Sequence, residues 1–186
     1  MEVAEVQQRI LNEYIADMAK YATSASAVKI RSCYNSIPAQ LAKESRKFQY
    51  KVVQKGGTVT IFGESIEWLS SAGAVLNCQL ISHGEIPVAV YVDLPDFKLY
   101  MSDTGLLTMK SQMPHSMIIS ETLINNLFMV AITENYVAQS LKANGHTLYC
   151  WKSGNRAEVD FVIQCGEEIV PIEVKSGKDY TVHSAL

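Results

Sequence analysis

AEVDFVIQCGEEIVPIEVKSGK, residues 157–178, is the stretch on which the reading of the chain turns. Val159, Phe161 and Ile163 alternate with Glu158, Asp160 and Val162, the two-residue period of a strand. Gly166-Glu167 suits a two-residue turn with glycine first, of type II′, so that Cys165 pairs with Glu168. Counting outward from that turn sets Asp160 opposite Glu173 and Glu158 opposite Lys175. Like charges directly opposed across a strand pair destabilise it by up to ~1 kcal/mol. A divalent cation reverses the sign of that effect, and carboxylate oxygens suit Mg²⁺ or Mn²⁺. A lysine at the edge of such a pair suits holding an attacking water or stabilising charge on a phosphate. The Glu158–Lys175 register predicts an ion pair that positions the lysine.

Working upstream, strands are predicted at Thr147 to Trp151, Ala157 to Gln164 and Glu168 to Lys175. A long helix is predicted from Glu121 to Ala143, with Ser120 as N-cap and Gly145 just past its end. Leu127, Val130, Ala131, Glu134, Ala138 and Leu141 fall on one stripe of that helix. Glu134 therefore lies on a mostly apolar face, where burying an acid alone is expensive. It becomes a third carboxylate of the site, or else it sits at the edge of the stripe or pairs with Lys152 or Arg156.

The front of the chain reads as helical. Val3 to about Lys20 has the three- and four-residue recurrence of an amphipathic helix. Asn35-Ser36-Ile37-Pro38 reads as the start of a second helix running to Lys47, because proline in a first turn loses no hydrogen bond. After Gly56-Gly57, Thr58 caps a third helix that ends at Gly73. Strands at Val75 to Ile81 and Val88 to Val92 follow, joined around His83-Gly84. Three helices and a two-stranded ribbon are the order of a winged helix-turn-helix. Tyr100 to Leu107 closes this part, with Asp103 as a helix N-cap, and Met109 to Ser120 reads as a connector.

Charge divides the chain in the same way. Residues 29–55 carry seven basic residues and one acid, whereas residues 94–186 carry seven basic and ten acidic ones. The basic stretch suits contacts to DNA phosphates. The third helix, acidic and apolar, suits a protein-interaction or linker role equally well. The whole chain of 186 residues is near neutral at -3, with 48% hydrophobic residues, a globular composition. It shows no membrane-length apolar run and no signal peptide pattern, so a cytoplasmic location is expected. Cys33, Cys78, Cys150 and Cys165 lack metal-ligand spacing and read as small core residues. His83, His115, His146 and His183 are scattered, and surface or turn roles are expected for them. Tyr149 and Trp151 read as packing residues.

The order helix with Glu, strand, strand with Asp, strand with Glu-x-Lys resembles the core of the PD-(D/E)xK nuclease superfamily. KLYMSDTGLL (98–107), ENYVAQSL (134–141), LYCWKSGNRAEVDFVI (148–163) and PIEVKSG (171–177) look like the C-terminal region of AAA-type ATPases, the domain of unknown function 4143. SIPAQLAKESRKF (36–48) and IEWLSSAGAV (66–75) resemble the linker region of that family. The resemblance implies Glu134, Asp160 and Glu173 as ligands of Mg²⁺ or Mn²⁺, and Lys175 as the residue assisting water in phosphodiester hydrolysis. Glu158 belongs to the signature without an assigned role. The chain has no Walker A motif, so ATP would enter only through an upstream ATPase domain. Only eleven residues follow Lys175, fewer than the superfamily core needs, so the chain is expected to be a fragment of a longer protein.

The expected architecture is α+β, with a winged-helix-like helical module at residues 1–108 and a C-terminally incomplete PD-(D/E)xK nuclease-like αβββ core at residues 109–186. Two functions are compatible with it. One is a metal-dependent nuclease within an AAA-type ATP-binding protein. The other is a non-catalytic module that binds nucleic acid or protein and regulates the ATPase. Expected partners are nucleic acid, DNA before RNA, the ATPase domain of the same protein, and a second copy of the chain. No membrane partner is expected.

Overall fold

The apolar stripes of the front helices close over one face of a sheet. A computed structural model describes residues 2–20, 23–114, 116–117, 127–153 and 157–175. Helices α1 (Val3–Lys20), α2 (Ser24–Leu41), α3 (Tyr50–Val53) and α4 (Val59–Ser71) precede strand β1 (Val75–Ile81). A 3₁₀ turn (Val88–Tyr91), β2 (Val92–Met101) and α5 (Thr104–Lys110) come next. Helix α6 (Leu127–Ala143) leads into β3 (Tyr149–Ser153), β4 (Ala157–Cys165) and β5 (Glu168–Ile172). The class is α+β, as expected. The expected start of the long helix, residues 120–126, lies outside the described residues.

The five strands form one mixed sheet in the order β2-β1-β3-β4-β5. β1 runs antiparallel to β2 and parallel to β3, and the β3–β4 and β4–β5 pairs are antiparallel. The front ribbon is therefore the edge pair of a sheet that continues into the back strands. Tyr34, Ile37, Leu41, Phe62, Leu69, Leu99, Met101, Leu107, Ala131, Ala138 and Phe161 share the main core. A smaller cluster of Ile81, Val88, Tyr149 and Val162, joined by half-buried Trp151, forms a second apolar patch. Among the described residues, no helix is long and apolar enough to cross a membrane.

Three local expectations need correction. The second helix begins at Ser24, where the Thr23 hydroxyl oxygen accepts the Ser26 N–H, and Pro38 sits inside it. Ile30, Cys33, Tyr34, Ile37 and Leu41 form a buried stripe across that proline. Burial of this stripe overrides the interior proline's cost of ~3 kcal/mol. The expected strand Val88 to Val92 is a 3₁₀ turn up to Tyr91, and the strand runs on to Met101. Pro95, with no N–H to donate, is tolerated because β2 is an edge strand whose register slips opposite Gln79–Ile81. The last strand ends at Ile172 rather than Lys175.

Other local readings hold. Helices appear at Val3–Lys20 and after Thr58, and β1 spans Val75–Ile81. Asp103 caps α5, its Oδ1 accepting the Leu106 N–H at 2.8 Å. Cys33, Cys78 and Cys150 are buried, and burial pushes the Cys33 thiol up to about 12. Cys165 departs from the expectation and is exposed at the hairpin end. His83 is exposed beside the Ser82 hydroxyl, whereas His115 and His183 lie outside the described residues.

Candidate functional site

The β4–β5 hairpin has the predicted register. Cys165 pairs with Glu168, and Gly166 adopts φ 63°, the left-handed value a glycine-first turn requires. The ladder reaches Phe161↔Ile172, one step short of Asp160 and Glu173. There the chain leaves the strand, and the Val174 N–H donates to Asp160 Oδ2 at 2.9 Å.

A bulge on the other side of β4 aims Asp160. Tyr149 pairs with Val162 and Trp151 with Val159, so Asp160 and Phe161 together stand opposite Cys150. Simple alternation is broken there. Phe161 enters the main core while Val159 packs with the smaller cluster. An extra residue of this kind commonly redirects a side chain beside a functional site.

Glu134 on α6 is fully buried and reaches the same place. Its partners differ from those expected. Lys98 Nζ of β2 lies 3.1 Å from Glu134 Oε1, 2.8 Å from Glu158 Oε1 and 3.7 Å from Asp160 Oδ1. Arg46 Nη1 lies 2.8 Å from Glu134 Oε2, an ion-pair contact without hydrogen-bond alignment, and 3.9 Å from Asp160 Oδ1. Lys152 binds Glu158 at 3.3 Å, and Arg156 lies outside the described residues. Glu158 is thus held by Lys98 and Lys152, not by Lys175, which instead pairs with Glu173. The cause is the early end of β5, which takes Lys175 out of the ladder.

Burial raises Glu134 to about 7; Lys98 and Arg46 work against the rise, and Asp160 adds to it. Burial also opposes the charge on Lys98, but Glu134 and Glu158 outweigh it and raise its pKa above the ordinary lysine value. Next to the site, a cavity of about 230 Å³ is lined by Lys47, Phe97, Trp151 and Lys152, among others.

Sequence reasoning missed Lys98 and Arg46. A trace of Lys98 was present, as the lone charge in the apolar run FKLYM (97–101). Arg46 was indistinguishable from its basic neighbours.

Glu134, Asp160 and Glu158 face Lys98, Arg46 and Lys152, so this set of six carries no excess negative charge to attract a divalent cation. Among the described residues, no group of three or more His, Cys, Asp and Glu is placed to hold a metal ion. In this arrangement the residues present do not fit Mg²⁺ or Mn²⁺.

Comparison with known proteins gives two family matches. The model of a domain of unknown function (DUF4143) matches residues 130–185, which contain Glu134, Glu158, Asp160, Glu173 and Lys175. The model of a second domain of unknown function (DUF8612) matches residues 2–116, which contain Arg46 and Lys98. The segment 98–107, which the sequence likened to the first family, falls within the second. No curated protein and no solved structure matches the chain. The DUF8612 model covers more than half of the chain, and the protein belongs to that family.

Proposed function

We propose that the chain is the C-terminal part of a cytoplasmic AAA-type ATP-binding protein, and that α6 to β5 form a PD-(D/E)xK nuclease-like unit acting on phosphodiesters. One observation carries this reading: Glu134 from a helix and Asp160 from a strand bulge converge on the same ammonium and guanidinium groups. Two carboxylates brought together from separate elements, with a Glu-x-Lys pair one register step away, are costly as plain architecture. Activity on DNA would need a divalent metal, which the present arrangement does not accommodate. The winged-helix-like front part, with α2 and α4 ahead of the β1–β2 ribbon, would then contact nucleic acid, the ATPase domain or a second copy.

The charge balance of the cluster favours a second reading, a non-catalytic regulatory module that binds nucleic acid or protein. The cavity lined by Phe97, Trp151, Lys47 and Lys152 offers aromatic faces that suit a base, with Asp96 and Glu158 paired to its two lysines.

The deciding experiment is a cleavage assay of the full-length parent with Mg²⁺ or Mn²⁺ on linear DNA, branched DNA and RNA, with and without ATP. Metal-dependent cleavage that falls ~100-fold or more in both Asp160→Ala and Lys175→Ala supports the nuclease reading. Absence of cleavage, or equal cleavage by wild type and both variants, overturns it.

A further inference from the structure

A second cavity, of about 400 Å³, lies wholly within residues 2–116, between α4, the start of α3 and the β1–β2 ribbon. That volume falls in the ~300–1,000 Å³ range of small-molecule sites, which are mostly apolar with a few placed polar groups. Its walls have this character. Asn77 pairs with Leu99 and Phe97 with Gln79, so Asn77 and Phe97 share one face of the sheet. Tyr50 meets Phe97 edge-on, with 6.4 Å between ring centroids, and Phe48 stacks on Phe97 and holds it in place. Val59, Gly63 and Glu67 recur every fourth residue and present one row of α4 to the cavity.

Two residues of this wall weaken the fold that carries them. Asn77 Oδ1 is buried without a hydrogen-bond partner among the described residues. An orphaned acceptor in mid-strand costs stability, and asparagine is a poor strand former besides. Gly63 stands inside α4, where glycine weakens a helix. A Cβ there would meet the Val59 Cγ2 at 3.3 Å and no backbone of another element, and its φ is not positive. Neither close packing nor a left-handed backbone requires glycine at that position. Its effect is to leave room in the cavity, beside an amide with nothing to bind. Local rules broken together on one wall are the pattern of a functional site.

We infer that this cavity binds an adenine base, carried by a free nucleoside. A side-chain amide presents a donor and an acceptor side by side, the complement of the amino group and ring nitrogen on one edge of adenine. Tyr50 and Phe97 give a planar ring aromatic surroundings. Glu67, exposed on α4, is an acceptor for a ribose hydroxyl. Among the described residues no cation lines the cavity, so phosphate groups gain nothing there and a neutral nucleoside fits better than a nucleotide or a strand. None of these residues belongs to the charged cluster, and nucleoside binding is independent of the nuclease-like reading.

The test is titration of adenosine into the full chain, followed by calorimetry and by amide nuclear magnetic resonance. The side-chain amide signals of Asn77 should shift saturably. ATP and a short deoxyadenosine oligonucleotide should bind no more tightly than adenosine. Asn77→Leu, which removes the amide, and Gly63→Leu, which fills the cavity, should each weaken binding ~10-fold or more, the scale of one amide–base pair. Tm separates binding from structure. Asn77→Leu removes an orphaned acceptor and Gly63→Leu a helix glycine, so neither should lower Tm. A fall in Tm in both variants assigns the two residues to the fold and overturns the site. Absence of saturable adenosine binding by wild type, tighter binding of ATP or of the oligonucleotide, or unchanged affinity in both variants overturns it as well. Lys175→Ala should bind adenosine as wild type does, so the nucleoside site and the nuclease fail separately.

Discussion

Asn135 takes both backbone groups of Met101: its Nδ2 donates to Met101 O at 3.1 Å, and the Met101 N–H donates to its Oδ1 at 2.8 Å. A side-chain amide on α6 thus supplies the edge strand β2 with the pairing that a further strand would give. It also fixes the rotation of α6 that turns the neighbouring Glu134 toward Lys98. Asn135→Ala leaves two buried backbone groups without this partner and should cost about 3 kcal/mol in urea unfolding. A loss below ~1 kcal/mol would show that water takes over the role.

Lys98→Met should be among the most damaging single changes, at ~3–5 kcal/mol, because it strands buried carboxylates without their shared cation. Adding Glu134→Gln should recover part of the loss, since it removes one of the stranded charges. A double mutant no more stable than Lys98→Met alone would place the main interaction of the lysine at Glu158 instead.

Glu134 sets a pH dependence of known sign. Its folded pKa, about 7, lies above the ordinary 4.5, so between those values the folded state holds a proton that the unfolded state has released. Its contribution to stability is therefore greatest below about 4.5 and declines as pH rises through about 7. The groups facing it are Lys98, Arg46 and Asp160. Glu134→Gln should flatten the fall in Tm of wild type across that window; parallel profiles for the two proteins would assign the slope to other groups.

The Gly56-Gly57 loop separates two kinds of glycine requirement. A Cβ at Gly57 would lie 2.2 Å from the backbone oxygen of Tyr50, so Gly57→Ala must displace the turn after α3 and should cost ~1–3 kcal/mol. Gly56 has φ 80° and open space around it, so Gly56→Ala should cost only ~1–2 kcal/mol, from backbone strain alone. Thermal denaturation of the two variants side by side checks the order.

Local chemistry was legible in the sequence, and long-range pairing was not. The glycine-first turn predicted the Cys165↔Glu168 register because a two-residue loop leaves no other pairing. The Asp103 cap and the αβββ order were equally local. Pro38 misled because a buried stripe from Ile30 to Leu41, within an eighteen-residue helix, outweighs one missing N–H. The bulge at Asp160–Phe161 was invisible because it depends on the register of β3, not on the residues of β4. The Lys98–Glu134 pair joins residues 36 apart, and no periodicity links them.

The parallel β1–β3 pairing bears on how the chain can be divided. A cut between residues 116 and 130 would leave Gln79–Ile81 as a raw strand edge on one piece and Tyr149–Trp151 on the other, both templates for aggregation. The first piece would also carry Lys98 without its counter-charges, and the second a helix with Glu134 stripped of its cations. Each piece would thus expose an edge and a charged group that only the other piece covers, so the two stretches complete one sheet and one ion-pair cluster between them.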